Sequence, residues 1–221
     1  DGRVRRAAVK CLTQIAERNH AASIGAVIAR LEHWNTDVRR TGVMALTQLV
    51  DRGNADAVSA VISRLDHQDV ETRKAALGAL IRVVELDDED AIAAVAQRLE
   101  DEQCHLRNMA AEALSRITTR GNEQAISEVS ARLEHKDPNV RRVASWTLTL
   151  VAECDKEPAL RAATSRLVHC DAAVRRAGLD TVLQLAGKGN ENTVQHVEKR
   201  LQDPDDGVRV AAERALARVA P

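Results

Sequence analysis

The sequence predicts an all-α fold of about six and a half helix hairpins, one every 34 residues. Three observations carry that expectation. The phrase VRR stands at residues 4–6, 38–40, 140–142 and 174–176, and every interval is a multiple of 34. Within each copy apolar or small residues fall at i, i+4, i+8 and i+11, the spacing of one helix face. Composition agrees: the chain is 44% hydrophobic without Phe or Tyr and with only two Trp, so Ala, Val, Leu and Ile must build the core. Aromatic side chains dominate ordinary cores, and their absence suits helices in close approach.

The longer helix of each unit opens on Val4, Val38, Thr72, Leu106, Val140, Val174 and Val208. Four residues on come Ala8, Gly42, Ala76, Ala110, Ala144, Gly178 and Ala212, small enough for helices to approach. The stripe continues through Leu12, Leu46, Leu80, Leu114, Leu148, Val182 and Leu216, and ends at Ile15, Leu49, Val83, Ile117, Val151, Leu185 and Val219. A shorter periodic segment precedes each later copy, from Ile24, Val27, Ile28 and Leu31 to Val194, Val197 and Leu201. It ends in the cassette VIARL, VISRL, VAQRL, VSARL, ATSRL or VEKRL. The expected unit is a helix of about 11 residues, a tight turn, a helix of about 16 and a short connection.

Between the two helices stand Asp1, Asn35, Asp69, Gln103, Asp137, Asp171 and Asp205. Their side-chain oxygens can accept from the free N–H groups that open the second helix. Pro138 follows Asp137 at the favoured first helical position. Gln103 is the expected weak cap. Gly53-Asn54, Gly121-Asn122 and Gly189-Asn190 stand where a helix C-cap is wanted.

Every unit carries an arginine after its opening apolar residue: Arg5, Arg39, Arg73, Arg107, Arg141, Arg175 and Arg209. The position lies about 70° from the centre of the apolar stripe on a helical wheel. An arginine there can bury its stem and extend its fork to a capping carboxylate, its own or that of the next unit. The column is expected to be a structural ladder between stacked units.

These residues carry a resemblance. The phrase D-x-x-V-R-R-x-A-x-x-A-L, as in DPNVRRVASWTL and NTDVRRTGVMAL, resembles a HEAT repeat. The short, Ala-rich form is similar to the HEAT-like repeats also seen in phycobilisome lyases. It covers the whole chain, residues 1–221, as a single repeat domain that begins mid-repeat and is read as a segment of a longer array. Tetratricopeptide repeats share the period but want a Trp, Tyr and Phe set in each unit. The resemblance implies a right-handed α-solenoid whose second helices line a concave surface. It also implies a scaffold, adaptor or transport factor holding other proteins there. Some relatives depart from this: the lyases handle bilin chromophores, and some HEAT-like glycosylases bind DNA. The family therefore narrows fold more than function.

Chemistry is sparse. His33, His67, His135 and His169 share a column, but equivalent residues of stacked helices lie about 8–10 Å apart, too far to share a zinc ion at about 2 Å. They are expected to serve the end of the first helix. Cys11, Cys104, Cys154 and Cys170 form no CxxC pair and read as free thiols of a reducing compartment. No phosphate loop, HExxH or GxSxG occurs, so no catalytic, metal or cofactor residue is assigned and a non-enzymatic protein is expected. Charge is balanced, 32 basic against 33 acidic residues, which argues against a dedicated nucleic-acid binder. No apolar run is long enough to span a bilayer, and an intracellular, cytoplasmic protein is expected.

The outer side of the second helices is more informative. One row, Arg6, Arg40, Lys74, Asn108, Arg142, Arg176 and Val210, is mostly basic. A row eleven residues on, Glu17, Asp51, Glu85, Thr119 and Glu153, is mostly acidic. Together they suggest a two-signed groove that orients a partner. Between them Met44 and Trp146 interrupt a polar column, and Trp146 falls about 150° from the core stripe. The expected function is to bind a protein or peptide through Trp146, Arg142, Arg176, Arg40, Lys74 and Met44. The alternatives are a chromophore-lyase-like subunit or a nucleic-acid binder using the Arg40–Arg176 ridge.

Overall fold

The computed structural model describes residues 1–152, 156–187 and 190–219. Thirteen α-helices and no strands occur among the described residues. The chain forms two compact units, Asp1–Arg98 and Leu99–Pro221.

The first unit holds α1 (Gly2–Ile15), α2 (Ala21–Ile28), α3 (Thr36–Leu49), α4 (Ala55–Ile62), α5 (Val70–Val83) and α6 (Glu89–Gln97). The second holds α7 (Cys104–Ile117), α8 (Glu123–Ala131), α9 (Pro138–Val151), α10 (Glu157–Ser165), α11 (Ala172–Leu185), α12 (Glu191–Glu198) and α13 (Asp206–Val219). Within each unit the short helices pack on short helices and the long ones on long ones, in two layers. The apolar columns meet between the layers, with Leu46, Leu80, Leu114, Leu148 and Val182 all fully buried. Each such side chain contributes about 1.5–3 kcal/mol of transfer free energy. Among the described residues no helix is long and apolar enough to cross a membrane.

Element lengths differ from expectation in a regular way. Each long helix has 14 residues. The short ones have eight or nine, and all but α4 then tighten into a 3-10 segment such as Ala29–Glu32. The 3-10 geometry turns the cassette leucine, Leu31 for example, fully into the core.

Caps fall where the sequence places them. Asp1, Asn35, Asp69, Asp137, Asp171 and Asp205 each accept a backbone N–H two or three residues on. Gln103 makes no such bond. The glycines do something else. Gly53 and Gly121 adopt positive φ, 77° and 85°, in the turns between repeats. Their N–H groups donate to Val83 O and Val151 O, both at 2.8 Å, at the end of the next long helix. Asn19, φ 63°, does the same to Leu49 O at 2.9 Å. The asparagine after each glycine caps the following short helix: Asn54 accepts from Ala57 and Asn122 from Ala125. Gly189 lies outside the described residues.

The arginine column corrects its own expectation. Nη1 of Arg39, Arg73, Arg107, Arg141, Arg175 and Arg209 donates to two backbone carbonyls of its own inter-helix turn, five and six residues back, at 2.7–3.2 Å. Capping side chains are not the targets of these Nη1 groups; they accept instead from the backbone that opens the helix. Some forks also cross to the next repeat: Arg5 to Asp37 at 2.5 Å, Arg39 to Glu71 at 2.7 Å, and Arg175 to Asp203 through two bonds of 2.9 and 2.7 Å. A second ladder lies on the cassette arginines. Arg64–Glu32, Arg98–Asp66, Arg132–Glu100 and Arg166–Glu134 pair at 2.6–3.1 Å, each with the preceding repeat.

The histidines are acceptors. Nδ1 of His33, His67, His135 and His169 takes the backbone N–H two residues on, at 3.0–3.1 Å. Asp101 and Asp203 hold the same post in their repeats through a carboxylate oxygen. The histidine column thus stabilises the turn rather than the carbonyls of the first helix.

Candidate functional site

In the second unit, α9 and α11 pack side by side, and a cleft of about 390 Å³ opens between them. Arg142 and Arg176 line it together with Arg141, Ser145, Asp180 and Gln184. Both arginines come from the VRR phrase, one residue beyond the structural arginine. That step of about 100° carries them out of the turn and onto the outer face. Both are exposed, and neither makes a hydrogen bond or ion pair among the described residues. Arg176 lies across the start of α13, where a Cβ on Gly207 would stand 2.5 Å from its Nη1. The neighbouring carboxyl, Asp180, reaches solvent, yet surrounding protein desolvates it enough to push its pKa up, with Arg176 and Arg214 pulling the other way.

Ser145 is the residue sequence reasoning missed here. It is 2% exposed, and its Oγ has no hydrogen-bond partner among the described residues. The equivalent positions in other repeats are Val9, Val43, Leu77, Ala111, Leu179 and Glu213. A hydroxyl thus replaces an apolar group in a place where leaving it unpaired costs about 1–3 kcal/mol. The signal was present in the sequence as a serine in a column that is otherwise apolar up to Glu213 in the last repeat.

Trp146 stands one turn beyond Arg142 on α9 and remains 36% exposed, outside the cleft lining. In the first unit Arg40 and Met44 share the outer face of α3, both exposed. Lys74 on α5 is half-buried and 3.9 Å from Glu71, which also takes Arg39, so its charge is already matched. Sequence reasoning also passed over Trp34, 84% exposed in an inter-helix turn and stacked on His33 with ring centroids 5.4 Å apart.

The acidic row does not form a helix face. Glu17, Asp51 and Glu85 lie past the ends of α1, α3 and α5. Asp51 is held in place there, taking Arg18 at 2.8 Å and the Asn19 amide at 2.8 Å. Glu153 and Cys154 lie outside the described residues, and Cys11, Cys104 and Cys170 are free and exposed. No group of histidine, cysteine or carboxylate side chains among the described residues is arranged to hold a metal ion.

Comparison with known proteins gives one consistent result. The sequence profile of HEAT repeats matches residues 1–81, 24–115, 58–147, 92–184 and 126–217. No curated protein matches the chain. Among solved structures it is similar to the archaeal HEAT-like repeats protein from Thermococcus onnurineus NA1, with 12% identity and a TM-score of 0.48 over 96% of this chain and 91% of that one. It is also similar to human deoxyhypusine hydroxylase, at 17% identity and TM-score 0.43, covering 98% and 79% of the two chains. A designed armadillo repeat protein in complex with the peptide (KR)4 is similar at 17% identity and TM-score 0.41, over 87% and 97%.

Proposed function

The chain belongs to the HEAT-repeat family, and on that premise we propose that it is a non-enzymatic scaffold or adaptor that holds a protein or peptide on the outer face of its long helices. Residues 1–221 are read as one repeat array. The observation that carries the reading is Trp146 beside Arg142 on α9. A large aromatic is left 36% exposed on a helix whose core need is met by the buried Ala144, Leu148 and Val151. One turn away stands an arginine with no partner of its own among the described residues. Trp and Arg are the residue types enriched where truncation costs a complex at least about 2 kcal/mol. Arg176 in the next repeat extends this surface within the same unit. Arg40, Met44 and Lys74 make an equivalent but weaker surface on the first unit, weakened by the Lys74–Glu71 pair.

The test is affinity capture from native extract with the unaltered chain and with Trp146→Ala. The variant should melt within a few degrees of the unaltered protein and lose its partner. Unfolding of the variant with unchanged affinity per folded molecule would make Trp146 a packing residue and remove the reading.

A further inference from the structure

We propose that the uncovered face of α1 and the cleft beside it are a docking site for a short amphipathic helix of a partner protein, one that ends in a leucine and a carboxylate. The site belongs to the first unit and does not rest on the reading of Trp146. Three observations carry it. First, α1 has the apolar stripe of its counterparts without their cover. Val4, Ala8 and Ile15 are exposed, whereas Val140, Ala144 and Val151 at the same posts of α9 are buried. The helices α3, α5, α9, α11 and α13 each pack on the short helix before them, and α1 packs on α3. Second, Arg5 donates through Nη2 to Asp37 at 2.5 Å, but its Nη1 donates to nothing among the described residues. In the other six members of the column that atom binds turn carbonyls. Third, Arg30 is the cassette arginine equivalent to Arg64, Arg98, Arg132 and Arg166, each of which takes a carboxylate from the preceding repeat at 2.6–3.1 Å. Arg30 takes none among the described residues. Both arginines line one cleft of about 310 Å³ between α1, α2 and α3, together with Ala8, Leu12, Val27 and Val38.

Another repeat of the chain shows what satisfies such a face. Ala125, Ile126, Val129 and Leu133 are buried where α8 and its 3-10 turn pack on α9. Glu134 then pairs with Arg166 at 3.0 Å, and the carbonyls of His135 and Lys136 accept from Arg141. A partner helix with the same spacing would lay its apolar side on Val4, Ala8, Leu12 and Ile15. Its carboxylate would reach Arg30, and its last carbonyls would accept from Arg5. Charge selects this occupant over a second copy of the chain. Between Gly2 and Ile15, α1 carries Arg3, Arg5, Arg6 and Lys10 and no acidic residue. Of these only Arg5 is paired among the described residues. Two copies joined through α1 would bring these cations together, whereas an acidic helix is drawn to them.

The experiment is an NMR titration of the full ¹⁵N-labelled chain with a synthetic peptide of residues 122–137, NEQAISEVSARLEHKD, which carries the required spacing and carboxylate. Isolated helices of this length are marginal in water, so the peptide is taken to millimolar concentration. It should shift the amide signals of α1 and slow their exchange, and a scrambled peptide should do neither. The Glu134→Gln peptide should bind roughly two- to fivefold more weakly, the worth of one ion pair at a partly exposed site. On the Arg30→Gln chain the two peptides should bind alike. Shifts confined to other helices, or equal shifts from the scrambled peptide, would overturn the docking site. Equal affinity of the Glu and Gln peptides for the unaltered chain would overturn the pairing with Arg30. Sedimentation of the chain alone as a dimer with α1 protected would make a second copy the occupant and overturn the partner helix. Each of these failures leaves the Trp146 surface standing, because Trp146 capture is read separately.

Discussion

Arg175→Ala should be the most damaging single change in the arginine column. Arg175 is 8% exposed and makes four hydrogen bonds, two to the turn carbonyls of His169 and Cys170 at 2.9 Å and two to the Asp203 carboxylate. Its partner is 3% exposed. Burial alone would raise the Asp203 pKa, but the Arg175 bonds, the Asp205 N–H and the Arg200 charge outweigh it and hold the carboxyl below its ordinary value. The Arg175 pKa is raised in turn, chiefly by its bond to Asp203. Removing one member of a buried pair costs about 3–5 kcal/mol. The lower end applies here, about 3 kcal/mol, because Arg200 at 3.5 Å and the Asp205 N–H remain to share the orphaned charge. Arg141→Ala loses only the two carbonyl bonds at a half-buried site, about 1–1.5 kcal/mol. Arg142→Ala loses no intramolecular partner and should stay within about 0.5 kcal/mol. Urea melts followed by circular dichroism rank the three, and hydrogen exchange should place the Arg175→Ala loss in α11 and α13, since these helices pack on each other and Arg175 ties one repeat to the next through Asp203. An Arg175→Ala loss below about 1 kcal/mol, or one equal to that of Arg142→Ala, would refute the ladder argument.

Other consequences are as direct. In α1 no residue is buried and Ile15 is 82% exposed, so its amides should exchange faster than those of α9; equal protection would mean that something covers α1. Gly178→Ala should destabilise by about 1–3 kcal/mol, because its Cβ would stand 2.9 Å from Ala163 O and 3.0 Å from Leu167 Cδ2. Gly78→Ala meets nothing within 4 Å on α5, and should stabilise by about 0.5–1 kcal/mol; thermal melts that rank these two the other way would contradict the packing described. Asp203 has a depressed folded-state pKa, so its contribution is complete above the ordinary carboxylate value of 3.8 and is lost as pH falls through the lower folded value. Asp203→Asn should therefore flatten the acid limb of the stability curve, and an unchanged limb would count against the coupling.

The sequence by itself determined the repeat, its length and its faces. Apolar spacing is set by the 3.6-residue turn, and a residue that recurs at the same register seven times has the same local surroundings seven times. The caps were legible for the same reason, since Asp137 and Asn35 act on backbone two or three residues away. The free arginines Arg142 and Arg176 were legible as exposed, because one step along the wheel separates them from their buried neighbours. What the sequence left open depends on distances between chain segments that no local pattern encodes. Arg39 binds the carbonyls of His33 and Trp34, and the cassette arginines, not the VRR arginines alone, reach the adjacent repeat. The glycine turns bond to the next long helix instead of capping their own. The acidic row dissolved because Asp51 and Glu85 fall beyond the helix ends, where the wheel no longer applies. Only the packing of α9 against α11 turned Ser145 from a polar residue in a mainly apolar column into a buried hydroxyl with no hydrogen-bond partner among the described residues. Tertiary structure decided that point because an unpaired group is defined by what lies around it, and its surroundings are supplied by a helix 34 residues further along the chain.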